Sequence, residues 1–308
     1  MKKIYIEISD ICGLKCSFCP APKGIRGVMN LELFRKAVAE STHHTNLITL
    51  HILGDPLCVE NLEQYLAVAK NAHLKVEITT SGANLANLGD FDLLLNAPIK
   101  QVNFSLDALN ELENRDFLLA QIIDFCKYKR QIQSEIFVNL RIQKRARNRD
   151  LVAFLEREFG DFGVKNLERY LCDLQGKKCE LRVKLGKKII IDFREVFAWN
   201  LKGLDCFGDK SPRNDKSFAE FTHGTCLALK THIGILANGE IVPCCMDSQG
   251  ILSLGNIKYT TLDLALKSKK AQEMLNGFRQ NRIIEPFCKV CDYRKVFDSK
   301  PKFAEITL

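Results

Sequence analysis

Thirteen cysteines are spread unevenly over the 308 residues. Three stand within eight residues, Cys12-Gly-Leu-Lys-Cys16-Ser-Phe-Cys19, and five more fall at Cys226, Cys244, Cys245, Cys288 and Cys291. An odd total cannot pair completely into disulfides, and grouping of this kind in a reducing compartment points to metal or cluster ligation. Three thiolates at such short spacing suit an iron–sulfur cluster that keeps one iron open. A structural zinc needs a fourth protein ligand, and no His or Cys stands close by in the sequence. A zinc site borrowing a distant ligand, or three buried thiols, are the bland alternatives.

The elements that must position these cysteines can be read from periodicity. Short β-branched runs at 4–8, 47–53, 74–80, 99–106, 135–142 and 163–171 alternate with amphipathic stretches at 31–43, 59–71, 84–95, 111–131 and 150–159. Five helices linking six strands predict successive βαβ units in a parallel sheet. Six strands in about 170 residues are too few for a closed eight-fold barrel, so an open partial (β/α)6 barrel is expected. In such sheets the loops after the strands carry the chemistry, and the three-cysteine loop follows the first strand. Asn30, Asn110 and Asn148 fall at or near helix N-caps.

Three strands alternate in the same way. Val76 and Ile78 alternate with Glu77, Thr79 and Ser81; Val102, Phe104 and Leu106 with Asn103, Ser105 and Asp107; Val138, Leu140 and Ile142 with Asn139, Arg141 and Gln143. Strands covered by helices should be apolar on both faces, so a shared polar face predicts a barrel interior that holds a polar ligand. The alternative is a solvated sheet face.

On these residues the chain resembles the radical S-adenosylmethionine (SAM) enzymes, in which three cysteines hold a 4Fe–4S cluster whose fourth iron is chelated by SAM. Cys12, Cys16 and Cys19 match that motif. Gly54-Asp55-Pro56 resembles the family's GEP element, with Asp for Glu, whose backbone contacts the SAM amino group. Thr80-Ser81-Gly82 resembles its TNG turn, and Asn103-Phe104-Ser105-Leu106-Asp107 the segment bonded to the SAM ribose or carboxylate. The resemblance implies Phe18, Gly54, Asp55, Pro56, Thr79, Ser81, Asn103, Ser105, Asp107 and Arg141 as cofactor-binding residues, with Arg141 on the SAM carboxylate and Phe18 near the adenine.

Cys226-(x12)-Gly239-(x4)-Cys244 followed by Cys288-(x2)-Cys291 resembles the auxiliary-cluster domains of this superfamily, called SPASM when complete and twitch when shortened. Four thiolates (Cys226, Cys244, Cys288, Cys291) would close one 4Fe–4S cluster and leave it able to pass electrons. On spacing alone a Zn(Cys)4 knuckle is an equal alternative. Cys244 is preferred over Cys245 because the Gly-x4-Cys spacing selects it. Cys58, Cys126, Cys172, Cys179 and Cys206 read as buried or idle thiols, Cys126 as core.

The expected organisation is a radical SAM core over 1–171, a connector and pocket-shaping segment over 172–225, and a SPASM- or twitch-like unit over 226–308. In the last, Asn238-Gly239 predicts a type I′ hairpin turn and 262–276 a helix. A further strand is expected over 187–193. Trp199 and Phe197 read as a packing anchor, and His51, His223 and His232 as packed or solvated. The net charge of +8 favours anionic partners. No apolar run approaches the roughly 18 residues of a membrane helix, and Glu7 interrupts any signal-peptide pattern, so a cytoplasmic protein without membrane contact is expected. The resemblance implies reduction by flavodoxin or ferredoxin, a 5′-deoxyadenosyl radical, and net oxidation of a small molecule, peptide or protein side chain. An RNA substrate is the alternative within the family, and a non-catalytic zinc or cluster binding module the alternative outside it.

Overall fold

The β-branched runs pair edge to edge, and the amphipathic stretches cover one side of the sheet they make. A computed structural model describes residues 1–20, 25–144, 148–162, 164–171, 182–194, 221–294 and 297. Strands β1 (Lys3–Ile6), β2 (Leu47–Thr49), β3 (Lys75–Thr80), β4 (Ile99–Ser105) and β5 (Phe137–Gln143) run parallel in that order. Helices α1 (Leu31–Thr42), α2 (Leu62–Asn71), α3 (Asp92–Leu95) and α4 (Arg115–Gln131) connect them, and α5 (Arg149–Glu158) follows β5. Asn30 caps α1, its side chain accepting from Leu33 N–H at 2.7 Å.

The sixth parallel strand is not where 163–171 was expected. Residues 164–171 carry a 3-10 turn at Leu167–Tyr170 instead, entered through a left-handed Asn166. The Glu156 carboxylate accepts from Asn166 N–H (2.7 Å) and Leu167 N–H (3.1 Å), so donors a ladder would use are spent on a side chain. The place beside β5 is taken by β7 (Ile189–Arg194), which forms a hairpin with the edge strand β6 (Arg182–Gly186). The strand expected over 187–193 is therefore the sixth of the barrel.

The C-terminal cysteine unit continues the same sheet. Its β8 (His232–Ile235) pairs in parallel with β1, from Lys3↔His232 to Ile6↔Ile235, and its β9 (Ile241–Val242) returns antiparallel. The full order is β6-β7-β5-β4-β3-β2-β1-β8-β9. The β8–β9 turn is longer than the type I′ form expected: only Gly239 of the pair has positive φ (+90°), and its N–H reaches back to Leu236 C=O at 2.7 Å. The helix expected over 262–276 breaks at Ser268, whose extended backbone separates α6 (Leu262–Lys267) from α7 (Lys269–Arg279) and whose hydroxyl caps the latter. The short α8 (Pro286–Lys289) carries Cys288.

The alternation of the strands sorts the two faces. Ile4, Ile6, Ile48, Val76, Ile78, Val102, Phe104, Val138 and Leu140 pack under the helices, all buried. The opposite face holds Glu77, Asn103, Asn139 and Asp192, also buried, so it is an enclosed polar interior and not a solvated surface. Glu7, at 0% exposure, closes the end of β1. It accepts from Arg26 Nε (3.0 Å) and Nη2 (3.1 Å), from Leu53 N–H (3.2 Å) after β2, and from Ala237 N–H (3.1 Å) after β8. Burial pushes its pKa up and Arg26 opposes that shift.

Removing the charge from this buried pair leaves Arg26 only its longer contact to Asp10 at 3.9 Å, and breaking a buried pair costs about 3–5 kcal/mol. Glu7→Gln is expected to lower the melting temperature by roughly 6–15 °C, read by thermal denaturation followed by circular dichroism. An unchanged melting temperature would show that Arg26 finds another partner.

Candidate cluster and cofactor site

After β1 the chain at 8–10 is drawn against the chain at 26–29. Met29 N–H donates to Ile8 C=O at 2.8 Å, and Asp10 accepts from the N–H groups of Arg26 (3.0 Å) and Gly27 (2.9 Å). Between these segments Cys12 is buried, Cys16 and Cys19 are half-buried, and Cys19 N–H donates to Cys16 C=O at 3.0 Å. The loop leans on the turn after β4: Ser17 donates through N–H and hydroxyl to Glu111, and Cys16 Sγ lies 3.9 Å from Ala108 C=O. Phe18 is half-buried beside Cys19.

The other expected elements gather at the same end of the sheet. Gly54 passes so close to the first loop that a Cβ would stand 1.9 Å from Ser9 C=O, so only glycine fits. Asp55 N–H donates to Ile11 C=O at 2.9 Å, and Pro56 opens a short 3-10 turn. The Asp55 side chain is fully engaged: Oδ1 takes Leu57 N–H, and Oδ2 takes Thr80 Oγ1 (2.9 Å), Ser81 N–H (2.8 Å) and Ser81 Oγ (2.7 Å). One carboxylate thus joins the loops after β2 and β3. Asp107 does the same between β4 and β5, accepting from Gln143 N–H and Asn148 Nδ2, each at 2.7 Å. Ser105, in register with Arg141, is then the polar group that ends β4 on the interior side.

Arg141 projects from β5 into the interior and donates to Thr79 Oγ1 at 3.3 Å, where Asn103 Nδ2 also donates. Its Nε has no acceptor among the described residues. Burial, with Arg194 nearby, pushes its pKa down to about 9, against the opposing pull of Tyr5, Asp192 and Glu77. Neighbouring cations are compensated, the half-buried Lys3 by Glu77 (2.8 Å) and the exposed Arg194 by Asp192 (2.9 Å). An amino-acid carboxylate would complete the set, which is what SAM would present there.

The C-terminal cysteines line one pocket. Cys226, Cys244, Cys288 and Cys291 meet there with Cys245, against Met246, Met274, Phe278 and Phe287. Burial pushes all five thiols up; Cys244 and Cys288 rise well above the ordinary range, Cys244 under further pressure from each of the other four and Cys291 to about 11. Dry thiols that oppose one another's ionisation fit a cubane, whose irons neutralise the thiolates. Cys244 and Cys245 both line this pocket, Cys244 coupled to Cys226, Cys288 and Cys291 and Cys226 coupled to Cys245. Cys245 faces the barrel as well, where it hydrogen-bonds the Tyr5 side chain.

Sequence reasoning missed Tyr5, Glu7 and Arg26. Tyr5 reaches from β1 between His51 and His232, edge-on to both rings at 5.9 and 5.8 Å. Burial lowers the pKa of both histidines, His232 to about 4, so they are neutral packing partners. The signal was available: Lys3, Tyr5 and Glu7 alternate with Ile4, Ile6 and Ile8, the same pattern noted in β3, β4 and β5. Cys126 is core, as expected, and Cys58 accepts from Asn84 Nδ2 at 3.1 Å. Cys172, Cys179, Cys206, Phe197 and Trp199 lie outside the described residues.

This α/β sheet, with one cysteine loop at its strand ends and a second cysteine group on its edge, has counterparts among known proteins. Residues 6–141 match the radical SAM superfamily model, and residues 226–292 match the SPASM model, an iron–sulfur cluster-binding domain. The radical SAM domain binds a 4Fe–4S cluster with SAM, and the SPASM domain binds auxiliary iron–sulfur clusters. GTP 3′,8-cyclase of Desulforamulus reducens is 28% identical over 121 residues, 37% of this chain and 36% of that protein. The match spans about a third of the length of the curated relatives. The structure of anSMEcpe with bound AdoMet gives a TM-score of 0.58 at 13% identity, covering 96% of this chain and 87% of that one. That of Streptococcus suis SuiB bound to precursor peptide SuiA gives 0.55 at 16% identity, covering 96% and 70%. Both likenesses are of fold.

If Arg141 holds the SAM carboxylate, Arg141→Gln should weaken SAM binding by about ten- to a hundredfold, the value of a charge-assisted hydrogen bond. Equilibrium dialysis of the reconstituted protein checks this, with iron content unchanged as the control. Unchanged SAM affinity would remove Arg141 from the site.

Loss of one auxiliary thiolate is expected to act separately. Cys288→Ala should remove about four iron per chain and leave the Cys12/Cys16/Cys19 cluster in place. Iron analysis with electron paramagnetic resonance distinguishes the two sites.

Proposed function

We propose that this radical SAM enzyme oxidises an organic substrate held in the polar barrel interior, with electrons leaving through one auxiliary 4Fe–4S cluster on Cys226, Cys244, Cys288 and Cys291. When bound, the Cys12/Cys16/Cys19 cluster and SAM supply a 5′-deoxyadenosyl radical that abstracts hydrogen. The chain's own residues do the rest. Arg141, Thr79, Ser105 and Asn103 orient the polar end of SAM; the Asp55 bolt and the Gly54 crossing fix the loops around it; the helices exclude water from the interior.

One observation carries this reading. Tyr5 interacts with both sides of the interior, its side chain hydrogen-bonded to Cys245 of the auxiliary pocket and electrostatically coupled to Arg141 on the proposed SAM side. That double contact supports a substrate held near both. A small electron-transfer protein such as flavodoxin or ferredoxin is the proposed reductant, its acidic surface suited to the net charge of +8. No described helix is long and apolar enough to cross a membrane. Thiolates that must stay reduced suit a cytoplasmic setting.

The test is anaerobic reconstitution followed by iron, sulfide and zinc analysis and chromatography of SAM products under dithionite. Close to eight iron and eight sulfide per chain, with 5′-deoxyadenosine formed by the native protein and none by Cys16→Ala, is the expected result. About four iron with one zinc would remove the electron-accepting role, and zinc without iron would overturn the enzyme reading.

A further inference from the structure

At the end of the sheet opposite the cysteine loops, where the strands begin, lies an open trough of ≈ 520 Å³. Its floor is apolar, with Leu74, Pro98, Ile99, Ile136 and Phe137, and its sides carry Lys70, Lys75, Lys100 and Lys188. Against these four cations the lining offers one carboxylate, Glu135, and that carboxylate is already shared by Lys187 and Lys188. Lys70, Lys75 and Lys100 have no ion-pair partner among the described residues. Nothing in the chemistry at the other end of the sheet uses this cluster.

The spacing narrows the choice of occupant. The trough crosses the starts of β3, β4, β5 and β7, neighbours in the sheet. At about 4.8 Å between strands, Lys75, Lys100 and Lys188 mark a row roughly 14 Å long. An extended peptide puts alternate side chains on one face about 6.8 Å apart, so acidic residues at every second position meet this row while the intervening ones can cover the apolar floor. A nucleic-acid strand matches less well. Single strands bind largely by stacking bases on aromatic faces. The only aromatic ring lining the trough apart from His73 is Phe137, and Lys188 Nζ already sits over it at 5.2 Å from its centre.

We infer that this trough is a docking site for an extended acidic segment of a partner protein. The contact is separate from SAM cleavage, so its failure and that of the proposed function can be told apart by a binding measurement.

The experiment uses the reconstituted full-length protein and fluorescence anisotropy. The probe is a fluorescein-labelled peptide of alternating aspartate and leucine, roughly eight residues long, enough to span the row. Saturable binding is expected, weakening as ionic strength rises from about 0.05 to 0.5 M. Lys75→Glu with Lys100→Glu should weaken it at least about tenfold. The same pair changed to Gln gives a milder loss and serves if the charge reversal disturbs folding, which circular dichroism reports. Three results would overturn the inference: equal binding of the peptide with asparagine in place of aspartate, no effect of the lysine substitutions, or tighter binding of a labelled oligouridylate through the same lysines.

Discussion

The Glu7 carboxylate is the fixed point of this molecule. A charge with no solvent access would be costly alone, and burial does push its proton affinity up. The cost is offset because four donors converge on it, two from the Arg26 guanidinium and one each from the backbone after β2 and after β8. Those donors belong to three different segments. Arg26 closes the loop that carries Cys12, Cys16 and Cys19; Leu53 precedes the Gly54 crossing; Ala237 lies in the hairpin that leads to Cys244. The position of one cysteine group relative to the other is thus referred to two oxygen atoms on β1.

The same device recurs around the site. Asp10 closes the cysteine loop on itself, Asp55 joins the loops after β2 and β3, and Asp107 joins β4 to the segment after β5. Loops at the end of a parallel sheet have no ladder to hold them, and carboxylates accepting backbone N–H groups replace it. This explains why short loops rich in Gly, Ser and Asp can hold a geometry demanding enough for a cluster. It also shows that acidic residues beside a cofactor site can belong to the scaffold: the Asp55 and Asp107 oxygens are occupied within the protein.

Much of this was legible in the sequence, because the signals were local. Cysteine spacing marked both candidate sites, and strict alternation in β3, β4 and β5 marked the polar interior. What failed depended on partners far along the chain. The run at 163–171 has the composition of a strand, but Glu156 captures its backbone donors and β7 takes its place. The pairing of β8 with β1 joins residues about 230 apart, and no periodicity within either strand announces it. The alternation through β1 placed Glu7 on the polar face, but the identity of its donors is a tertiary fact.

Electrostatics explains why the fold and its cofactors should be considered together. Among the described residues Lys3 is matched by Glu77, whereas the Nε of Arg141 has no acceptor. In the C-terminal unit five free thiols share one pocket, and coupling among them raises the proton affinity of Cys226, Cys244, Cys288 and Cys291. Each is a local conflict that packing alone does not resolve, and each has the sign a cofactor would reverse: an anion for the guanidinium, iron for the thiolates. A chain that leaves such conflicts at two sites, yet satisfies Glu7, Asp10, Asp55 and Asp107 completely, separates its scaffold from its ligand positions. Binding energy at the two sites then adds to folding energy, because the unfolded chain has neither site to offer.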